Sequence, residues 1–438
     1  MIALNQLSDM ISSPALQQQF AALYGPDPVQ QSQQKARWLH LADLFAGQFP
    51  DQRGVRLFST PGRTEVGGNH TDHQHGRVLC AAVDLDIIAL AAPNQSNLIR
   101  LKSEGFPLMD FIDLSRLEPD ETEKEHSASL IRGVAAAFHQ RGYKIGGFDA
   151  YTSSRVPKGS GLSSSAAFEV LVATLMDQIW SGSLVSTLER AIIGQFAENS
   201  YFGKPSGLMD QCGCSVGGFI GIDFEDPAHP VVSPVQLDFG QSGYCLIITQ
   251  TGGNHADLTD EYASIPRDMK KVAALFGQPV LRDVDPEEFW RKLPGLRCQV
   301  NDRAILRAIH FFQDNDRVRL QTAALQTGDI EQFLVLVRAS GNSSRNQLQN
   351  VYAARYPEEQ PLSLALSLSE KVLAGRGACR VHGGGFAGTI QAFVPLDLAD
   401  AYLEAMRSLF GADAAWQLRI RTVGSTELTA RLMPAKSF

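Results

Sequence analysis

The sequence predicts an α+β fold in two lobes. The chain has 438 residues, and at roughly 100–200 residues per domain that length divides into two or three units. Apolar residues make up 44% and charged residues 20%, the balance of a chain that buries a core. Strand-like and helix-like stretches alternate, but without the strict strand–helix–strand regularity of a doubly wound sheet.

Residues 1–48 read as helical. Leu, Phe and Ala recur at helical spacing over 10–23, and a second helix over about 30–45 follows the Gly25-Pro26-Asp27-Pro28 break. This appendage is expected to pack against the main body. Val55-Arg56-Leu57-Phe58 reads as a strand, Pro61-Gly62 as a turn, and 78–90 as a buried strand pair interrupted only by Asp84 and Asp86. An amphipathic helix is expected over 127–141, a strand over 147–153, a glycine turn at Gly159–Gly161, and helices over 163–180 and 188–199. Strands are expected over 219–223 and 245–250. The last third mixes helices (318–326, 330–339, 361–374) with a strand over 389–394 and a strand-like run near 418–423. No fixed-period repeat is present.

Lys plus Arg number 39 and Asp plus Glu 47, a net charge of −8. A mildly acidic chain gains little from phosphate-backbone attraction, which argues against a nucleic-acid partner. A small anion needs only a local nest of backbone N–H groups and stays open. Six cysteines are too sparse to staple the fold, and no second pair joins Cys212 and Cys214 in a four-ligand zinc site. They read as reduced thiols of a reducing compartment. With no secretory signal at the N-terminus and no run of about 18 apolar residues, a cytoplasmic protein with no membrane partner is expected.

Three segments carry chemistry. The first in strength is Pro157-Lys158-Gly159-Ser160-Gly161-Leu162-Ser163-Ser164-Ser165-Ala166-Ala167, between a strand and a long helix. Glycines let backbone approach a ligand, and the start of a helix offers unpaired N–H groups at the positive end of its dipole. Such a turn suits phosphate. The bland alternative is a serine-capped helix, for which one serine would suffice. It is not a Walker A loop, because Lys158 precedes the glycines.

The second segment is Val381-His382-Gly383-Gly384-Gly385-Phe386-Ala387-Gly388-Thr389. It contains Gly-x-Gly-x-x-Gly, but a strand follows where a dinucleotide fingerprint needs a helix. A nicotinamide enzyme is rejected on that ground. A glycine-rich hairpin lying against a ligand fits better, beside the alternative of an ordinary hairpin. The third segment is Pro61-Gly62-Arg63-Thr64-Glu65-Val66-Gly67-Gly68-Asn69-His70-Thr71-Asp72-His73-Gln74-His75-Gly76. Its polar side chains suit a hydroxyl-rich ligand, since a site that bonds hydroxyls rejects analogues lacking them. A solvated loop is the alternative. The histidines and Asp72 also raise a metal reading, but their spacing does not match a helix-borne His-x-x-x-His pair.

The three segments resemble the motifs of the GHMP kinases, and within them the galactokinases, and they occur in that family's order along the chain. The galactokinase pattern Pro-Gly-Arg-Val-Asn-Leu-Ile-Gly-Glu-His-Thr-Asp is matched at Pro61, Gly62, Arg63, Gly68, His70, Thr71 and Asp72, and Gly207-Leu208-Met209-Asp210-Gln211 matches the family's Gly-Ile-Met-Asp-Gln. The resemblance covers about residues 50–435. Beyond the helical extension over 1–48, which is longer than the family usually needs, it implies an N-terminal kinase domain over 49–222 and a C-terminal kinase domain over 223–438, with the active site in the cleft. It implies transfer of the ATP γ-phosphate to the anomeric hydroxyl of galactose or a close relative, with Mg²⁺, by a monomer or homodimer.

By position, Asp210 would be the catalytic carboxylate and Arg63 its neighbour, keeping it ionised and offsetting charge on the phosphoryl group. Ser165 and Glu198 would hold Mg²⁺ through hard oxygens, Glu198 lying twelve residues before Asp210 as in the family. Gly159, Gly161, Ser163 and Ser164 would line the phosphates, with Gly384 and Gly385 of the late turn on the ATP side. His70, Asp72, Gly207 and Tyr262 match sugar-contacting positions, Tyr262 through its spacing from His255.

The chain also departs from the pattern. Asn69 stands where galactokinases carry the Glu expected to hold the sugar's 6-hydroxyl, and Glu65 stands where they carry Asn. Val66-Gly67 replaces Leu-Ile, which is expected to loosen local packing, and residues 250–255 differ from the usual Asn-Ser-Asn-Val-x-His. Losing a carboxylate at the C6 end would remove repulsion against a substrate carboxylate. A galacturonate kinase is therefore an alternative to a galactokinase, as is a sugar- and ATP-binding sensor without catalysis. A mevalonate-type kinase is disfavoured by His70-Thr71-Asp72.

Overall fold

The computed structural model describes residues 2–157, 159–252, 258–386 and 388–429. Lys158, residues 253–257 and Ala387, which fall in the motifs read above, lie outside the described residues, as do 430–438.

Three helices open the chain: α1 (Leu7–Ile11), α2 (Pro14–Tyr24) and α3 (Pro28–Gln48). Ser13 and Asp27 cap the latter two, each followed by Pro at the first helical position, where a missing N–H costs nothing. Strands β1 (Arg56–Gly67), β2 (Arg77–Pro93), β3 (Leu98–Ser103) and β4 (Met109–Asp113) follow, then α4 (Ser127–Gln140), β5 (Phe148–Ser154), α5 (Ser164–Met176), α6 (Thr187–Ala197), α7 (Met209–Val216), β6 (Phe219–Asp223) and β7 (Val231–Val235). The remainder contains β8 (Tyr244–Gln250), α8 (Thr259–Ala274), α9 (Pro286–Leu296), α10 (Asp302–Thr327), α11 (Ile330–Ser343), α12 (Pro361–Leu373), β9 (Ala378–His382), β10 (Thr389–Pro395), α13 (Ala399–Phe410), β11 (Ala415–Leu418) and β12 (Thr426–Glu427).

The larger sheet runs β12-β1-β2-β5-β3-β4, with β6 also on β2 and β7 on β6; the smaller runs β11-β8-β10-β9. Helices α4 and α5 bury Ile131, Val134, Val170 and Leu171 against Phe58, Ala89 and Ala150 of the larger sheet, and this core continues to Leu246, Phe333 and Phe393 beside the smaller one. The N-terminal helices cover the other face: Phe20, Trp38, Leu41 and Phe45 pack on Leu57, Ile88, Leu90 and Tyr151. The appendage is thus a layer of the core. The smaller sheet's far face is covered by α12 and α13 through Leu373, Tyr402 and Met406.

Two local expectations change. Pro61-Gly62 is not a turn; β1 runs through it, and the ladder with β2 shifts register between Pro61 and Arg63 and again between Glu65 and Gly67. A bulge tolerates the missing N–H of Pro61. Gly62 is required by closeness, since a Cβ there would lie 2.8 Å from the carbonyl oxygen of Leu162. Residues 78–90 are not a strand pair but part of one long strand, β2. Its first half pairs with β6 and its second with β5, and Asp84 and Asp86 lie where the neighbour changes.

Candidate active site

Strand β1 and the serine-rich turn meet at the backbone, where Arg63 N–H donates to Leu162 O at 3.1 Å. Helix α5 then starts at Ser164 with no side chain capping it. Ser163 adopts the left-handed conformation (φ 57°), and its hydroxyl turns instead to Asp210, donating to Oδ2 at 2.5 Å. Ser165 Oγ donates to Glu198 Oε1 at 3.1 Å. The serines are therefore not spent on capping, which leaves the first-turn N–H groups of α5 for an anion. A Cβ at Gly159 would meet nothing within 4 Å, whereas at Gly161 it would press on the His382 ring at 2.8 Å.

Arg63 joins this turn to α7. Its Nε donates to Asp210 Oδ1 at 2.9 Å and its Nη2 to the same oxygen at 2.5 Å, while Nη1 donates to Gly161 O. The Arg63 side chain is 7% exposed and that of Asp210 29%, so the carboxylate alone opens to solvent. Burial pushes Asp210 up, but the Arg63 charge and the hydrogen bonds from Ser163 and Arg63 outweigh it and hold the carboxyl below its ordinary range.

Glu198 lies at the end of α6 and is buried. Its Oε1 accepts from Lys204 Nζ at 2.8 Å as well as from Ser165; its Oε2 accepts from Ser206 Oγ at 2.6 Å and Gln211 Nε2 at 2.9 Å. Gln211, next to Asp210 in α7, also donates to Glu169 Oε2 at 2.9 Å. Burial and then the neighbouring Glu198 charge push Glu169 well above the carboxylate range. The Ser165 and Glu198 oxygens are hard donors beside the phosphate turn, a set that fits Mg²⁺.

The polar motif supplies the other wall. His70 Nε2 bonds to Gly384 O at 2.9 Å; burial and then the charge of His73 lower its pKa to about 4, so the ring is neutral and Nε2 carries the proton. Asp72 and Gly207 are adjacent, a Cβ at Gly207 falling 2.9 Å from Asp72 Oδ2. Tyr262 donates its hydroxyl to Gly385 O at 3.0 Å and lies so close to Gly384 that a Cβ there would sit 2.4 Å from the ring. The late glycine turn therefore touches His70 and Tyr262.

Asn69 and Glu65 answer one another. Asn69 Nδ2 donates to Glu65 Oε1 at 2.9 Å and Gly383 O at 2.7 Å, and its Oδ1 accepts from Asn350 Nδ2 at 2.7 Å. Asn69 is fully buried. Glu65 also accepts from Arg380 Nη2 at 3.0 Å. Burial raises Glu65 against the opposing charges of Arg380 and Arg63, to about 7. The Val66-Gly67 step does not loosen the packing: the Gln321 side chain of α10 fills the room, its Oε1 lying 2.0 Å from where a Gly67 Cβ would be.

Arg63, Ser163, Ser165, Glu198 and Asp210 are thus brought together, as are His70, Tyr262, Gly384 and Gly385. Sequence reasoning missed Lys204, Glu169, Gln211, Arg380, His382 and Asn350. Gln211 lay inside a matched motif and Glu169 one helical turn beyond Ser165. His382 also lay inside a quoted motif and Lys204 six residues beyond Glu198; Arg380 and Asn350 become visible only through partners distant in the chain.

Residues 129–218 match the family described as GHMP kinases N terminal domain, and residues 43–93 the Galactokinase galactose-binding signature. A galactokinase of Glaesserella parasuis serovar 5 (strain SH0165) is 30% identical over 383 residues, 86% of this chain and 95% of that protein. One of Actinobacillus pleuropneumoniae serotype 5b (strain L20) is 29% identical over 382 residues, with the same coverage. The crystal structure of Lactococcus lactis galactokinase complexed with galactose superposes with a TM-score of 0.73 at 26% identity, covering 89% of this chain and 99% of that one. A Methanococcus jannaschii mevalonate kinase, at 13% identity and a TM-score of 0.60 over 84% of this chain and 98% of that one, shares the fold. The fold and motifs define an ATP-using phosphotransferase of the GHMP kinase type. The chain belongs to the galactokinase family and is a sugar kinase. Among the described residues no helix is long and apolar enough to cross a membrane.

Proposed function

We propose that this sugar kinase transfers the γ-phosphate of ATP to the anomeric hydroxyl of galactose, giving the sugar 1-phosphate and ADP. One observation carries the reading: Asp210 is held ionised by Arg63 and Ser163, with its open side beside the uncapped start of α5. A phosphate on the α5 N–H groups places its leaving bond near that carboxylate. The Asp210 carboxylate orients the sugar hydroxyl and takes its proton as the O–P bond forms and the bond to the ADP oxygen breaks. A carboxylate of lowered pKa is a weak base, so orientation dominates and proton transfer comes late, as a loose transition state allows. Arg63 spreads its charge between Asp210 and the phosphoryl group. Ser165 and Glu198 would hold Mg²⁺, which neutralises charge on the phosphates.

A neutral C6 end is supported by the Asn69–Glu65 pair. The carboxylate expected four residues later is retained at Glu65, and every nitrogen of the buried Arg380 is engaged by Glu65, Val66 O or Val381 O. Arg380 is therefore not free to meet a galacturonate. The test is ADP release with Mg-ATP across galactose, galacturonate, N-acetylgalactosamine and arabinose. Galactose is expected to lead in kcat/KM by at least about tenfold, or 1.4 kcal/mol. Preference for galacturonate would overturn the substrate, and tight ATP binding with no sugar-dependent ADP release would overturn the chemistry in favour of a sensor.

A further inference from the structure

Lys204 is a cation that the mechanism above does not use. It follows the turn at the end of α6, where Gly203 (φ 88°) lets the chain fold back. The Gly203 and Lys204 N–H groups both donate to Glu198 O, at 3.0 and 3.1 Å, and the loop is pinned further on by Ser206 N–H to Asn199 Oδ1 at 2.7 Å. This return places the Lys204 ammonium 2.8 Å from Glu198 Oε1. The lysine side chain is 57% exposed while that of Glu198 is 2% exposed, so the ammonium lies on the solvent side of the carboxylate.

Glu198 does not need this lysine. Without it the carboxylate still accepts from Ser165, Ser206 and Gln211, and a carboxylate so bonded is satisfied. The ammonium also lies within electrostatic reach of Asp210, where it helps to lower the pKa. The local charges pair as Arg63 with Asp210 and Lys204 with Glu198. A nucleotide triphosphate brings several negative charges to this balanced group. The movable ammonium is the group able to turn toward them, whereas Arg63 is fixed by three hydrogen bonds.

We propose that Lys204 is a phosphate-binding residue of the nucleotide site, whose ammonium leaves Glu198 to contact the terminal phosphates of bound ATP. The assignment rests on the nucleotide site proposed above, and its test separates the two. ATP and ADP binding are titrated calorimetrically, with excess EDTA and with Mg²⁺, for the wild type, Lys204→Met and Lys204→Arg. The expected result is a loss of at least about tenfold in metal-free ATP affinity for K204M. ADP should lose less, K204R should retain most of the affinity, and melting temperature should stay unchanged because the side chain is exposed. Equal metal-free ATP affinity in wild type and K204M would reduce Lys204 to a surface counter-ion of Glu198 and overturn the proposal. A wild type that binds no ATP under either condition would overturn the nucleotide site itself, and the lysine assignment with it.

Discussion

Asp86 and Asp210 are both held by arginine and a hydroxyl, but in different surroundings. Asp86 accepts from Arg37 Nη1 at 2.6 Å, Tyr24 at 2.7 Å, Ser59 at 2.5 Å and Arg421 at 3.3 Å, and is fully buried. Among the described residues Asp210 accepts from Arg63 and Ser163, and its side chain is 29% exposed. Both are held below the ordinary carboxylate range by guanidinium charge despite burial. The difference is the open valence. The network at Asp86 is closed by the N-terminal helices and joins them to β1, β2 and Arg421, whereas the Asp210 side chain stays partly open to solvent. A similar constellation joins elements when it is buried and, on the function proposed above, is available for chemistry when it is partly open.

The sharpest break in this comparison is Asp210→Asn. It should lower kcat/KM by about 10³-fold, roughly 4 kcal/mol, while the denaturation midpoint stays close to that of wild type. Asp86→Asn should do the reverse. Removing one partner of a buried ion pair costs about 3–5 kcal/mol of stability, read as a lower urea midpoint, with activity per folded molecule retained. Should D86N abolish activity at full stability, the division between the two sites would be wrong.

Acid and base should separate a third carboxylate from Asp86. Asp86 has a folded pKa below its unfolded value, so its contribution is present above about pH 4 and is lost as pH falls through the folded value. Glu65 has a folded pKa raised to about 7. Between the unfolded value near 4.3 and 7, the folded state holds a proton that the unfolded state lacks. Stability should therefore fall as pH rises through that window, by up to about 1.4 kcal/mol per unit. Glu65→Gln should flatten this slope between pH 4.5 and 7 and leave the acid limb unchanged. An unaltered slope would mean that Arg380 keeps Glu65 ionised throughout.

Much of this was legible locally. The helices over 10–23 and 30–45, the strands near 219–223 and 389–394 and the three motifs follow from period and turn chemistry, and each motif carries residues that meet in the site. What escaped was set by distant partners. Pro61-Gly62 has the composition of a turn, but the ladder to β2 and the approach of Leu162 O override that local preference. Lys204 sits between glycine and proline with no pattern around it, and acquires meaning only when the loop returns to Glu198. The exchange of Glu65 and Asn69 was visible as a substitution. Its consequence depended on Arg380 and Asn350, some 300 residues away.

The smallest expected effect sharpens the same rule from beneath the sugar motif. Gln321 is fully buried, and neither its Oε1 nor its Nε2 has a hydrogen-bond partner among the described residues. It fills the room left by Gly67, so volume rather than polarity is what the site uses. An unpaired buried amide costs about 1–3 kcal/mol, and an apolar group of the same shape avoids that penalty. Gln321→Met keeps the length and should raise stability by about 1 kcal/mol, with sugar KM unchanged. Gln321→Ala should instead lose stability by opening a cavity under β1. If Met raised the sugar KM several-fold without a change in stability, the amide would be reaching the sugar site through β1. Gln321 would then belong with Asp210, as an open valence, rather than with Asp86.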